Sequence, residues 1–282
     1  MTNLTLMNDN KLHNLIKILK KMKNAVLAYS GGVDSTFLLK TLRLSGIRTL
    51  AVTASSEIIP FTELLKAKKT AEELVIDHRI IKTEEFSRED FLENSPERCF
   101  FCKDELFKKL SSIASAEGYQ FVLDGSNRDD IADYRPGRKA AEKYLVRSPL
   151  IEAGFSKKEI RKSSQELGLS TWDKPAAPCL ATRIPYGQRI TREALKRVER
   201  AEDFLISLGF REIRVRDHGD LARIEVQENE INRMLIPEKR KLVSETLKSF
   251  GYQFISLDIE GYRSGSMNRM LHGRSLCKTL NS

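Results

Sequence analysis

No run of the 282-residue chain approaches the length of a membrane-spanning helix, and the first twenty residues lack the apolar core of a secretory signal. The expectation is a cytoplasmic protein with no membrane partner. Cysteine is scarce, with four residues at 99, 102, 179 and 277. In a cytosolic chain such a set points to metal, redox or catalytic use rather than to disulfides. No histidine stands at zinc-finger spacing, and there is no internal repeat or low-complexity segment. No recognisable RNA-binding module and no basic stripe interleaved with aromatics accompanies the formal net charge of +9, so no nucleic-acid partner is expected. That charge admits anionic nucleotides or acidic partners and decides nothing alone. With 40% hydrophobic and 31% charged residues, the composition is that of a globular chain long enough for one large or two ordinary domains.

What is present is organised around AVLAYSGGVDSTFLLK, Ala25 to Lys40. A strand-like run ends at Tyr29, a tight turn follows at Ser30-Gly31-Gly32, and an amphipathic helix opens near Asp34. Adjacent glycines let backbone approach a ligand closely, and a helix start offers unpaired N–H groups and a positive dipole end. Ser30, Ser35 and Thr36 add hydroxyls. The Walker A spacing and its lysine are absent. The plain alternative is an ordinary glycine turn between strand and helix. The string SGGVDS is instead similar to the pyrophosphate-binding loop of the PP-loop ATP pyrophosphatases, which makes Ser30, Gly31, Gly32, Val33, Asp34 and Ser35 candidate ATP-binding residues.

Along the chain, Leu12, Leu15, Ile16, Leu19 and Met22 predict a leading helix over 11–22. Strands are expected at 47–55, 78–83 and within YQFVLDGSN, with helices after Pro60 and over 106–118. Alternating strands and helices argue for a doubly wound parallel sheet of α/β class. Ligands of such sheets sit beyond the carboxyl strand ends, which brings Thr53, Asp124 and Gly125 to the edge that holds the glycine turn. Ser156 and Glu159 form a capping-box signature for the next helix. TWDKPAAPCLATRIPYGQRI, with three prolines and no periodicity, carries Cys179 and leads into a second unit. The expected division is 1–185 for the sheet domain and 186–282 for a smaller α/β domain. The latter reads as a helix over 191–208, a hairpin folded at His218-Gly219-Asp220, a helix over 237–250 and a strand over 252–258.

Three further groups carry chemistry. RCFFCK supplies Cys99 and Cys102, and Cys179 is a distant third. The set can serve zinc, a redox pair or an iron–sulfur site, and lacks an evident fourth ligand. Incidental buried cysteines are the plain alternative. In DGSNRDDIADYRPGRKA, Asp129, Asp130 and Asp133 are candidates for Mg²⁺, and Arg135, Arg138 and Lys139 for phosphate; a solvated polar loop explains them equally well. Arg214 and Arg216 lie two residues apart on one strand face, opposite Glu225, as a phosphate clamp or an exposed strand face of mixed charge.

The order SGGVDS, PERCFFCK, DGSNRDD, TWDKPAAPCLATRIPYG, RVRDHGD and GYRSGSMN resembles the LarE family, over nearly the whole chain. LarE proteins are ATP-dependent sulfur transferases of lactate racemase cofactor (nickel-pincer nucleotide) synthesis. The resemblance implies a nucleotide substrate, pyridinium-3,5-biscarboxylic acid mononucleotide, whose carboxylates are adenylated by Mg·ATP and converted to thiocarboxylates. It implies catalytic roles for Cys179, Asp34, Arg214 and Arg216. Family members with only the cysteine matching Cys179 sacrifice its sulfur. Those with the CxxC as well resemble cluster enzymes, so the resemblance implies a [4Fe-4S] cluster on Cys99, Cys102 and Cys179, a sulfide donor and a homo-oligomer. The rivals are a PP-loop tRNA thiolase, a non-catalytic ATP- or metal-sensing protein, and an amidotransferase-like ligase. The last would need an N-terminal nucleophilic cysteine or a glutaminase domain, which this chain lacks.

Overall fold

A computed structural model describes residues 10–131, 136–176 and 178–263. In chain order the elements are α1 (Asn10–Met22), β1 (Asn24–Ala28), α2 (Val33–Ser45), β2 (Arg48–Ser55), α3 (Phe61–Glu73), β3 (Asp77–Lys82), α4 (Glu89–Leu92), α5 (Arg98–Ala116) and β4 (Val122–Leu123). Then come α6 (Gly137–Lys143), α7 (Pro149–Glu152), α8 (Lys157–Glu166), α9 (Arg192–Ser207), β5 (Arg214–His218), β6 (Leu221–Glu225), α10 (Ile231–Met234), α11 (Pro237–Ser249) and β7 (Phe254–Leu257). None of the described helices is long and apolar enough to cross a membrane. The chain divides into two compact units, Met1–Glu85 with Cys99–Ala177 and Phe86–Arg98 with Pro178–Ser282.

In the first unit the strands pair in the order β3-β2-β1-β4, all parallel. Their apolar residues alternate between two cores, because successive strand side chains face opposite ways. Ala25, Leu27, Ala51 and Leu123 join the core built with α1, α2, α3 and α8. Val26, Leu50, Val52 and Val122 join a second core with Phe107 and Leu110 of α5 and Ala140 of α6. The unit is thus a four-stranded parallel sheet flanked by helices on both faces. Strand order reverses between β1 and β4, and it is outside the carboxyl ends at such a reversal that doubly wound sheets take ligands. β4 is only two residues long, and a parallel bridge from Leu123 to Arg147 extends it.

Two local expectations shift. α5 starts at Arg98, eight residues before 106, so Cys99 and Cys102 lie within its first turns. A short 3₁₀ turn, Leu180–Arg183, follows Cys179 inside the stretch without periodicity. The capping box at Ser156 is formed on both sides, with Ser156 N–H donating to Glu159 and Glu159 N–H to Ser156 Oγ.

The second unit has a mixed sheet, β5-β6-β7. β5 and β6 form an antiparallel hairpin turned at Gly219 (φ 75°), and β7 lies parallel to β6. Leu205 of α9, Val215 and Ile224 of the hairpin and Leu247 of α11 share its core. The segment 86–98 belongs to this unit. Buried Asn94, at φ 55°, donates from Nδ2 to the carbonyls of Ile184, Pro185 and Gln188 and accepts from Arg98. Ile190 N–H donates to the Leu92 carbonyl. Asp133, Arg135, Cys277 and the part of GYRSGSMN from residue 264 lie outside the described residues.

Candidate functional site

The glycine turn joins β1 to α2 at the strand-order reversal. Gly31 has φ 69°, a left-handed conformation, and a Cβ there would stand 2.8 Å from Ala67 Cβ on α3. Both backbone conformation and space therefore require glycine. Gly32 is the N-cap of α2 and supplies no side-chain acceptor, so the first-turn N–H groups are not side-chain capped. Ser35 Oγ donates to the Gly32 carbonyl at 3.2 Å and lies 3.1 Å from Ser30 Oγ. Two residues beyond β4, Gly125 packs against α2 so closely that a Cβ would sit 3.0 Å from Ser35 N. Ser30 to Ser35 and Asp124-Gly125 are thus brought together at one sheet edge.

Other predicted residues are committed to holding this edge. Buried Thr53 donates its hydroxyl to the Tyr29 carbonyl at 2.8 Å, and His78 Nε2 lies 2.8 Å from the same oxygen. A hydroxyl has one proton, so His78 must be the donor in that pair. Burial lowers the His78 pKa, with the nearby Glu72 charge opposing and that of Lys68 assisting. Asp124 accepts from Ser126 N–H, Ser126 Oγ and Ser148 Oγ. Asp130 accepts from Asn127 N–H, and Asp129 from Lys157 N–H at the start of α8. Asp34 is salt-bridged, both its oxygens lying within 2.8 Å of Lys157 Nζ.

Cys99 and Cys102 are half-buried in the first unit, three residues apart and so on one face of α5. Cys102 Sγ lies 3.6 Å from Glu85 Oε1, and the buried Oε2 of Glu85 has no partner. Half-buried Cys179 belongs to the second unit, at the N-cap of the 3₁₀ turn, its carbonyl accepting from Thr182 and Arg183. None of the three is in a disulfide. Their thiol donors suit iron–sulfur ligation, whereas among the described residues no group of three His, Cys, Asp or Glu side chains is placed to hold a metal ion.

Arg214 and Arg216 share one face of β5, but that face is not exposed: both side chains are buried. The alternative of a solvated mixed-charge strand is thereby corrected, since β5 packs inside its unit with Val215 and Asp217 buried on the other side. Arg216 makes two hydrogen bonds to Glu225 (2.9 and 2.7 Å) and a third to the Thr182 carbonyl. Arg183 makes the equivalent pair of bonds to Glu202. The Arg214 guanidinium lies over the Tyr262 ring, 5.0 Å from its centroid. Burial, and after it the Arg183 charge, depress the Arg214 pKa, while Glu202 opposes. Three guanidiniums and two carboxylates thus stand together beside the turn that Cys179 opens.

Several residues of these sites were not marked by sequence motif alone. Lys157 opens α8, where a cation opposes the helix dipole; that mismatch was the available signal. Lys174 donates to the Gly31 carbonyl at 2.9 Å and to Glu63 at 2.7 Å. Arg183, Glu202 and Asn94 carry no local signature, because the Arg183–Glu202 pair spans 19 positions and the bonds from Asn94 Nδ2 span 90 or more.

The fold and the loop together define an α/β protein with a glycine turn and an uncapped helix start at the carboxyl edge of a parallel sheet. No family model matches the chain. It is 43% identical over 264 residues to an uncharacterized protein of Synechocystis sp., spanning 93% of this chain and 98% of that one. It is 38% identical over 263 residues to the pyridinium-3,5-bisthiocarboxylic acid mononucleotide synthase of Lactiplantibacillus plantarum, spanning 93% and 95%. It is also 34% identical over 255 residues to an uncharacterized protein of Methanocaldococcus jannaschii, spanning 90% and 96%. The chain belongs to the LarE family, that of the pyridinium-3,5-bisthiocarboxylic acid mononucleotide synthase.

Proposed function

We propose that this protein is an ATP-dependent sulfur transferase of PP-loop type, which converts the carboxylates of pyridinium-3,5-biscarboxylic acid mononucleotide to thiocarboxylates. The observation that carries the reading is the uncapped α2 start behind Gly31-Gly32, held where the strand order reverses between β1 and β4. It supports binding of the pyrophosphate part of Mg·ATP by N–H groups. A substrate carboxylate attacks the α-phosphate, pyrophosphate leaves, and the acyl-adenylate then loses AMP to a sulfur nucleophile. Carboxylate oxygen is a poor leaving group and AMP a good one, which is why ATP is needed. Asp34, beside the glycine turn and now paired with Lys157, would receive Mg²⁺ in place of that lysine. Arg214 and Arg216, set near the turn that follows Cys179, would hold the substrate phosphate. Cys99, Cys102 and Cys179 would ligate a [4Fe-4S] cluster, which when bound supplies an iron open to exogenous sulfide. A cytoplasmic homo-oligomer is the accompanying expectation.

The test is anaerobic turnover with the mononucleotide, Mg·ATP and sulfide, following AMP, pyrophosphate and product mass, with iron and acid-labile sulfide measured beforehand. Thiocarboxylate formed with AMP release, an iron chromophore lost in Cys99→Ala, and an unchanged protein mass are expected. No iron, together with loss of one H₂S from Cys179, would replace the cluster route with sacrificial donation. Absence of AMP would overturn the adenylation route itself.

A further inference from the structure

One face of α3 backs the glycine turn. Glu63, Ala67 and Thr70 lie four and three residues apart, hence on one side of the helix. Ala67 lies against Gly31, Thr70 lies near the Tyr29 hydroxyl, and Glu63 reaches the turn through Lys174. The Lys174 ammonium, largely buried, bridges the Glu63 carboxylate at 2.7 Å and the Gly31 carbonyl at 2.9 Å. Burial works to raise the Glu63 pKa, but the hydrogen bond and charge of Lys174, and then those of Lys66, hold it below its usual value. The pair is therefore a charged one.

The carbonyl of Gly31 and the N–H of Gly32 belong to one planar trans peptide and point in opposite directions. Holding the carbonyl toward Lys174 aims the N–H away from it. That N–H makes only a long contact, 3.4 Å to Ser30 Oγ. Because glycine flanks this peptide on both sides, little steric cost opposes a flip that would present the carbonyl instead. A carbonyl in that place would repel a phosphate.

We propose that Lys174 is a positioning residue: anchored by Glu63, it pins the Gly31–Gly32 peptide with its N–H toward the pyrophosphate part of the nucleotide. The inference rests on the ATP reading above and adds how the loop is kept competent before ligand arrives. Lys174 stands in the same irregular stretch as Cys179, five residues earlier in the chain. One segment thus carries both the loop strut and the sulfur-site cysteine.

Titration calorimetry of the full chain with Mg·ATP, Mg-pyrophosphate and AMP tests this. Lys174→Met should weaken ATP and pyrophosphate about tenfold, the scale of one charge-assisted hydrogen bond, and leave AMP unchanged. Lys174→Arg should recover most of the loss. The slope of pyrophosphate affinity against salt should match the wild type, since a lysine touching phosphate directly would flatten it on removal. Unchanged ATP affinity, an equal loss for AMP or a flattened slope would each overturn the proposal. If K174M does not fold, Glu63→Gln provides the second variant, with a smaller loss confined to the same two ligands. A wild type that binds neither ATP nor pyrophosphate would sink the ATP reading, and this inference with it.

Discussion

The two units enclose their ion pairs to different degrees. In the first, Lys157 with Asp34 stands at 36% and 23% side-chain exposure and Lys11 with Glu159 at 37% and 39%, while Lys174 with Glu63 is more enclosed at 16% and 17%. In the second, Arg216 with Glu225 and Arg183 with Glu202 are enclosed, none of the four above 10%. An exposed pair contributes little and exchanges its partner cheaply, which suits the proposed exchange of Lys157 for Mg²⁺ at Asp34. A buried pair cannot lose one member without stranding a charge, which suits a fixed template for a substrate anion.

The largest effect should come from breaking an enclosed pair. Glu225→Gln strands Arg216 and weakens the hold on Arg223, and should cost about 3–5 kcal/mol in urea unfolding. A cost under about 1 kcal/mol, typical of exposed pairs, would erase the contrast between the units.

Asn94→Ala comes next. It removes the amide NH₂ shared among three carbonyls and an acceptor for Arg98, and places alanine at φ 55°. A loss of about 3 kcal/mol is expected from the unmade bonds and the left-handed backbone. A neutral result would show that the 184–188 turn is held by its backbone bonds and packing without the Asn94 side chain.

The smallest effect is a pH dependence. The Glu159 carboxyl is held at about 2 by hydrogen bonds from Lys11, then from the Ser156 side chain and backbone. A depressed carboxyl stabilises fully above its ordinary value of 4.5, and that stabilisation fades as pH falls toward 2. With both partners more than a third exposed, the advantage of wild type over Glu159→Gln should stay below about 1 kcal/mol at pH 6. It should shrink through that acid window in urea midpoints measured at each pH. An advantage that grew on acidification would reverse the assignment.

Much of the first unit was legible because its signals are local. The glycine pair and the Ser156 capping box each lie within a few residues, as does the His218-Gly219-Asp220 turn of the second unit, and strand and helix periodicity needs only a short window. The start of α5 was less legible, since RCFFCK has no amphipathic rhythm of its own. The attachment of 86–98 to the second unit was not legible at all. Its bonds run from Leu92 and Asn94 to residues 184–190, and α4 is a single turn without a stripe.

By itself, the sequence determined a glycine turn between strand and helix, alternating elements of a parallel sheet, and the motif order that marks the LarE family. Each of these depends on nearest neighbours in the chain or on residue identity. Tertiary structure alone decided that Arg214 and Arg216 are buried rather than solvated. A strand's alternation tells which residues share a face and not what covers that face. It alone decided, too, that Lys174 grips the Gly31 carbonyl and Lys157 the Asp34 carboxylate. Those pairs span 143 and 123 positions, and only the folded sheet, with helices closing over it, brings such distant charges within hydrogen-bond reach.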